Sequence, residues 1–191
     1  MQKEYLTKKT LLITGGTGSF GKAALSRFLK HDISEIRIFS RDEKKQDDLR
    51  KILNDPRVNF FIGDVREKDS LDNVMKGVDF IFHAAALKQV DKAEENPMET
   101  IKTNVLGAQN VIDCSLDSKV SNVIALSTDK ASSPLNLYGA TKLTSDKLFV
   151  SSNDFKKNSV KLSVVRYGNV IGSRGSVLPL FLKMIKNTMS F

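Results

Sequence analysis

Tyr138 and Lys142 stand four residues apart in SSPLNLYGATKLTSDKLF, a stretch whose second half reads as helix, so the phenol and the amine share one face. A lysine held beside a tyrosine favours the phenolate and lowers a pKa that is otherwise about 10. Tyr138 is thereby fitted to act as a general base, taking a proton from a hydroxyl as hydride leaves its carbon. Asp129 and Lys130 form a second acid and base directly after NVIALST, an apolar run that reads as a strand. A simple alcohol oxidation has no need of that second pair. Because Y-x-x-x-K also occurs in helices that carry no chemistry, the surrounding elements decide its meaning.

Those elements alternate. Thr10–Thr14 (TLLIT) reads as a strand that breaks into GGTGSFG and then into KAALSRFLK, which has helical spacing. Strand, glycine turn and helix form the context a phosphate-binding fingerprint needs. Gly15, Gly18 and Gly21 let the backbone approach a pyrophosphate, with Thr17, Ser19 and Phe20 in the same turn, and the helix start offers free N–H groups. A second strand, EIRIFS, ends in Ser40, Arg41 and Asp42, followed by Glu43, Lys44 and Lys45. An acid at that strand end would select NAD, whereas an arginine accommodates a 2′-phosphate. Ser40 and Arg41 come first here, so NADP is the expected cofactor, with Lys44 and Lys45 as further phosphate contacts. The alternative is that residues 41–45 simply open an exposed helix.

VNFFIG is the third strand and leads to Asp64 and Val65, placed to edge the adenine. Asp64 is also expected to cap a helix over residues 67–75. DFIFH is the fourth strand. It runs into Ala84, Ala85 and Ala86, small enough for backbone to pass a flat cofactor, and then Lys88 at the ligand end. His83 reads as a core histidine rather than a catalyst, and Asn104, within a long helix over 97–116, as a buried amide. Residues 122–128 and 161–166 give the fifth and sixth strands. A glycine-rich loop with Asn169 and Arg174 follows, then an apolar helical run over 177–189. The pattern predicts one α/β domain over 1–191, a Rossmann-type doubly wound parallel sheet. In such sheets ligands bind beyond the carboxyl ends of the strands, where every candidate falls.

Composition narrows the partners. Thirty basic against 22 acidic residues give a net charge of +8. The lysines are scattered among acids rather than gathered into an aromatic-studded patch, so a solvated basic surface is expected first, an anionic nucleotide ligand next, and nucleic acid not at all. Cys114, the single cysteine, permits no internal disulfide and reads as a small core residue. No run approaches the roughly 18 apolar residues of a membrane span. A cytoplasmic, membrane-free protein without a metal centre is expected.

TGGTGSFG, SRDE, GDVR, HAAALK, KTNVLGAQNV, LSTDKASSP, YGATK and RYGNVIGSRGSVLP together resemble the extended short-chain dehydrogenase/reductase superfamily. More narrowly, they resemble the UDP-N-acetylglucosamine 4,6-dehydratases that invert C5, as in the first step toward pseudaminic acid. The resemblance covers the chain from Thr10 onward. LSTDKA followed by YGATK is specific, because related retaining dehydratases carry an acid where Lys130 stands, and some capsule-pathway relatives lack the tyrosine present here as Tyr138.

The resemblance implies a UDP-sugar substrate and a homo-oligomer, paired through the helices over 97–116 and 138–151. It implies cofactor contacts from Val170, Ile171, Gly172, Ser173 and Arg174, and sugar-side or phosphate-side contacts from Lys88, Leu126, Ser127 and Asn169. Tyr138, assisted by Lys142, would take the C4 hydroxyl proton. Neutral Lys130 would take the C5 proton and protonated Asp129 would serve the departing C6 hydroxyl, both pKa values having to be moved toward neutrality by burial and by each other. Two features depart from the family. QVDKAEENP stands where a histidine and a proline are usual, and the chain is shorter than family members, so it is expected to be truncated and to lack most of the C-terminal substrate domain. The alternatives are a sugar-nucleotide 4-epimerase on the same scaffold and a non-catalytic NADP-binding fragment.

Overall fold

Leu12, Ile13, Ile36 and Ile38 are fully buried, as strands covered by helices on both faces require. The computed structural model describes residues 5–154 and 160–170. The six strands are β1 (Thr10–Thr14), β2 (Glu35–Ser40), β3 (Val58–Ile62), β4 (Phe80–His83), β5 (Asn122–Leu126) and β6 (Lys161–Val165). All pair in parallel, in the order β3-β2-β1-β4-β5-β6. This is the expected doubly wound sheet, and its order reverses between β1 and β4.

Alternation along β1 splits the core in two. Leu11 and Ile13 pack with Leu25 of α1 (Ser19–Phe28) and Leu49 of α2 (Glu43–Leu53). Leu12 faces the other layer, with Leu71 of α3 (Lys68–Met75), Val111 of α6 (Gly107–Asp117) and Phe149 of α7 (Leu137–Ser151). Cys114 is fully buried in that second layer, and burial pushes its thiol up to about 12. It is a core residue.

β1 and β2 have the expected bounds and β4 starts one residue late, while β3, β5 and β6 end one or two residues early because their last residues turn out of the ladder into the loops of the cleft. The helix expected over 97–116 is also interrupted. It begins as α5 (Pro97–Ile101), loosens into a π-helical turn at Lys102–Leu106, and resumes as α6. Before it stands a short helix, α4 (Val90–Glu95), which the sequence pattern did not indicate. Asp64 does not cap α3. Glu67 holds the N-cap position without a side-chain bond, while the Asp64 carboxylate accepts from the backbone N–H and guanidinium of Arg66. That guanidinium competes for the carboxylate more effectively than the neutral helix N–H groups. The expected helix over 177–189 and residues 171–174 lie outside the described residues.

Candidate active site

A cleft of about 1250 Å³ opens beyond the carboxyl ends of the strands, at the reversal of strand order. It is lined by residues 15, 17–22, 39–42, 45, 63–65, 84–92, 103, 126–128, 130, 138, 142 and 167–170. Twenty-two of the sequence candidates therefore meet there. Glu43 and Lys44 do not line it; they sit exposed on the first turn of α2. Asp129 does not line the cleft but is bonded to Thr128 and Lys130, which do, and Ile171, Gly172, Ser173 and Arg174 lie outside the described residues.

The cofactor half is built on close backbone approach. Gly15 has φ +68°, and a Cβ there would lie 2.7 Å from the Ala85 nitrogen, so only glycine lets the β1 turn press against the loop after β4. Helix α1 follows with Gly18 at its N-cap, no side-chain cap and no acid in its first turn, which leaves its N–H groups and dipole for an anion. At the end of β2, Thr17 donates to the Ser40 hydroxyl at 3.2 Å, and buried Gln46 donates to Ser40 and to the Phe61 carbonyl. Asp42 caps α2 by accepting from the Lys45 N–H at 3.0 Å, and it also pairs with the Lys45 ammonium. The Arg41 guanidinium, about half exposed, lies 3.5 Å from the Asp64 carboxylate, which Arg66 and Arg41 together hold below the usual carboxylate range. Thr103 and Ser127 line the cleft, and their buried hydroxyls have no hydrogen-bond partner among the described residues. A dinucleotide fits this donor set.

The chemical half lies at the ends of β4 and β5. Buried His83 bonds Thr14 Oγ1 through Nδ1 at 2.7 Å, and Thr14 also accepts from the Ala85 N–H at 3.4 Å. Burial and the nearby Lys142 drive the imidazole down to about 3, so it stays neutral and serves the core. Asn136 caps α7 by accepting from the Gly139 N–H at 2.9 Å, and Glu94 of α4 accepts from Leu137 N–H at 2.8 Å. A Cβ on Gly139 would lie 2.5 Å from the Lys130 carbonyl oxygen. The absence of that atom brings the start of α7, and Tyr138 with it, against the Asp129–Ala131 turn.

Asn104, in the π turn, accepts from the Leu87 N–H at 2.8 Å and donates to the Leu87 carbonyl at 2.9 Å. This is the buried amide bonded to backbone that the sequence implied. Lys130 Nζ donates to Asp129 Oδ1 and to Asn169 Oδ1, each at 3.1 Å.

Protonation differs from expectation in two places. Burial raises the Tyr138 phenol above its usual range, and a hydrogen bond with Thr128 only partly offsets this. Lys142 is buried, and desolvation lowers it to about 8, with Asp146 opposing. The lysine stays largely charged at neutral pH but sits closer to its deprotonated form than the sequence suggested. Asp129 is exposed rather than buried, and its bonds to Thr128 and Lys130 hold its carboxyl below the ordinary range. Sequence reasoning missed Thr128, which bonds both Tyr138 and Asp129. Its position at the end of β5, directly before the Asp-Lys pair, was the available signal.

The chain is similar to several sugar-nucleotide enzymes. A UDP-glucose 4-epimerase of Rickettsia felis is 58% identical over 183 residues, covering 93% of this chain and 54% of that protein. The chain therefore spans about half the length of the curated relatives it matches. The structure of Pen from Bacillus thuringiensis superimposes with a TM-score of 0.93 at 42% identity, over 95% of this chain and 56% of that one. DesIV of Streptomyces venezuelae, a dTDP-glucose 4,6-dehydratase solved with NAD bound, gives 0.81 at 26% identity, over 94% and 62%. With the extended short-chain dehydrogenase/reductase fold in place and the family model matched over residues 11–190, the chain belongs to the polysaccharide biosynthesis protein family.

Proposed function

We propose that the chain carries the cofactor site and reacting groups of an NADP-dependent sugar-nucleotide 4,6-dehydratase that acts on UDP-N-acetylglucosamine and inverts C5. The observation that carries this is Lys130 Nζ held between Asp129 and Asn169 in the cleft that also holds Tyr138 and Lys142. Exchange of configuration at C4 alone needs no second acid and base. Elimination across C5 and C6 needs both.

A nicotinamide held in the cleft would supply the acceptor for the C4 hydride and its donor to C6. The chain's own residues do the rest. Tyr138 takes the C4 hydroxyl proton, with Thr128 bonded to its phenol and Lys142, poised near neutrality, beside it. The ketone at C4 acidifies the C5 hydrogen, which leaves as a proton to Lys130. Asp129 delivers a proton to the C6 oxygen, which departs as water; once hydride is back at C6, C5 takes a proton on the face opposite the one it lost, which inverts that centre and leaves a 4-keto-6-deoxy sugar. A sugar covering the cleft strips water from the exposed Asp129 carboxylate and moves its pKa upward, as this role requires. Lys88, Leu126, Ser127 and Asn169 contact the sugar nucleotide. Ser40 and Arg41 receive a 2′-phosphate, which favours NADP.

The name carried by the Rickettsia relatives favours a second reading, a UDP-sugar 4-epimerase. Proton NMR of the chain with NADP and UDP-N-acetylglucosamine in D2O separates them. A new C6 methyl signal with deuterium at C5 is expected. A C4 epimer with its C6 hydroxymethyl intact would establish the epimerase, and an unchanged sugar would leave only a cofactor-binding fragment.

A further inference from the structure

Two buried charges on α7 stand close together. Lys142 is 3% exposed, and Asp146, one helical turn later on the same face, is 5% exposed. A lone carboxylate in that setting is costly, and Asp146 is not alone, because Arg166 Nε donates to its Oδ2 at 2.8 Å. Arg166 lies just past β6 and opens a segment that reaches the cleft at two points. Tyr167 stacks on Phe20 with ring centroids 5.2 Å apart, and Asn169 accepts from Lys130.

Resting on the proposed partnership of Lys142 with Tyr138, we infer that Asp146 and Arg166 form a positioning pair. It sets the charge and placement of Lys142 and locks the segment bearing Tyr167 and Asn169 to the tyrosine helix. The Tyr138–Lys142 and Asp129–Lys130 halves of the site are thereby held in one geometry. Neither member of the pair need touch substrate.

The charged and titratable groups around Lys142 and its tyrosine come from four places. His83 faces the lysine from the end of β4 and is neutral. Tyr138 and Asp146 belong to α7, Asp129 to the turn after β5, and Tyr167 and Arg166 to the segment after β6. Burial pushes the lysine down, and the Asp146 carboxylate is the charge that opposes this. Removing the carboxylate should therefore lower the lysine further. Removing Arg166 leaves that carboxylate uncompensated and should raise it.

The decisive experiment follows the Lys142 Nζ resonance in lysine-labelled chain across the alkaline range, assigned with Lys142→Arg. Asp146→Asn should move its titration midpoint down by about one unit or more, and Arg166→Gln should move it up. The double variant should return toward the parent. An unmoved midpoint in variants whose amide spectra remain dispersed would overturn the pair as anything but a structural contact. Should Asp146→Asn fail to fold, the upward shift in Arg166→Gln still decides the matter. The pH–rate profile of the dehydration provides a separate readout. Resonance shifts without a matching shift in that profile would leave the pair standing and remove Lys142 from the proposed chemistry.

Discussion

Asn104 Nδ2 donates to Thr141 Oγ1 across 3.1 Å, tying the helical run after β4 to the helix that carries Tyr138 and Lys142. Through its bonds to Leu87, the same amide also holds the loop that walls the cleft. Replacing Asn104 with Leu leaves the Leu87 N–H and carbonyl and the Thr141 hydroxyl short of partners. A loss of about 2 kcal/mol or more in urea unfolding is expected, with weakened NADP binding. Unchanged unfolding and affinity would show that the amide is dispensable.

Lys130→Ala separates cofactor binding from elimination. Lys130 Nζ is bonded to Asp129 and Asn169, so NADP affinity should remain within about twofold while deuterium incorporation at C5 disappears. Normal exchange at C5 in this variant would remove Lys130 as the base.

Arg41 discriminates between cofactors if it receives a 2′-phosphate. Arg41→Ala should weaken NADP by about tenfold or more, the worth of a charge-assisted bond, and leave NAD little changed. Calorimetric titration with each cofactor checks this, and an equal loss for both would sink the assignment.

His83 makes stability depend on acid. Its folded pKa, about 3, lies below the ordinary 6.5, so the unfolded chain binds the extra proton between those values. Stability from this group is complete above the unfolded pKa and is lost as pH falls toward 3, at up to about 1.4 kcal/mol per pH unit. His83→Gln should flatten that part of a pH series of urea midpoints.

The sheet was legible because its strands are apolar runs, the central ones buried on both faces, and several end at glycine or acid, as at Ile13–Gly15 and Ile62–Asp64. The cleft was legible for a related reason, since parallel strands all point their chemistry to one edge. What stayed hidden depends on distance through the fold. Nothing in the spacing of Asp146 and Arg166 announces a bond across 20 residues. The sequence neighbourhood of Tyr138 likewise says nothing of how deeply its lysine is buried, which is why the expected direction of the phenol's shift was reversed. The six residues of α4 are too few and too polar for helical periodicity to show.

The π-helical turn at Lys102–Leu106 fits one residue more than α-helical geometry would take into the same rise. Each residue of an α-helix turns the chain by about 100°. The side chains of α5 and those of α6 are therefore indexed on two angular frames offset by that amount, with Asn104 at the seam. A one-residue deletion in this turn should thus act as a rotation: Met98 and its neighbours would swing relative to Val111 and Ile112, and the amide would leave Leu87 and Thr141 together. An inserted residue is in this sense a setting of the helix, and the site is tuned to it.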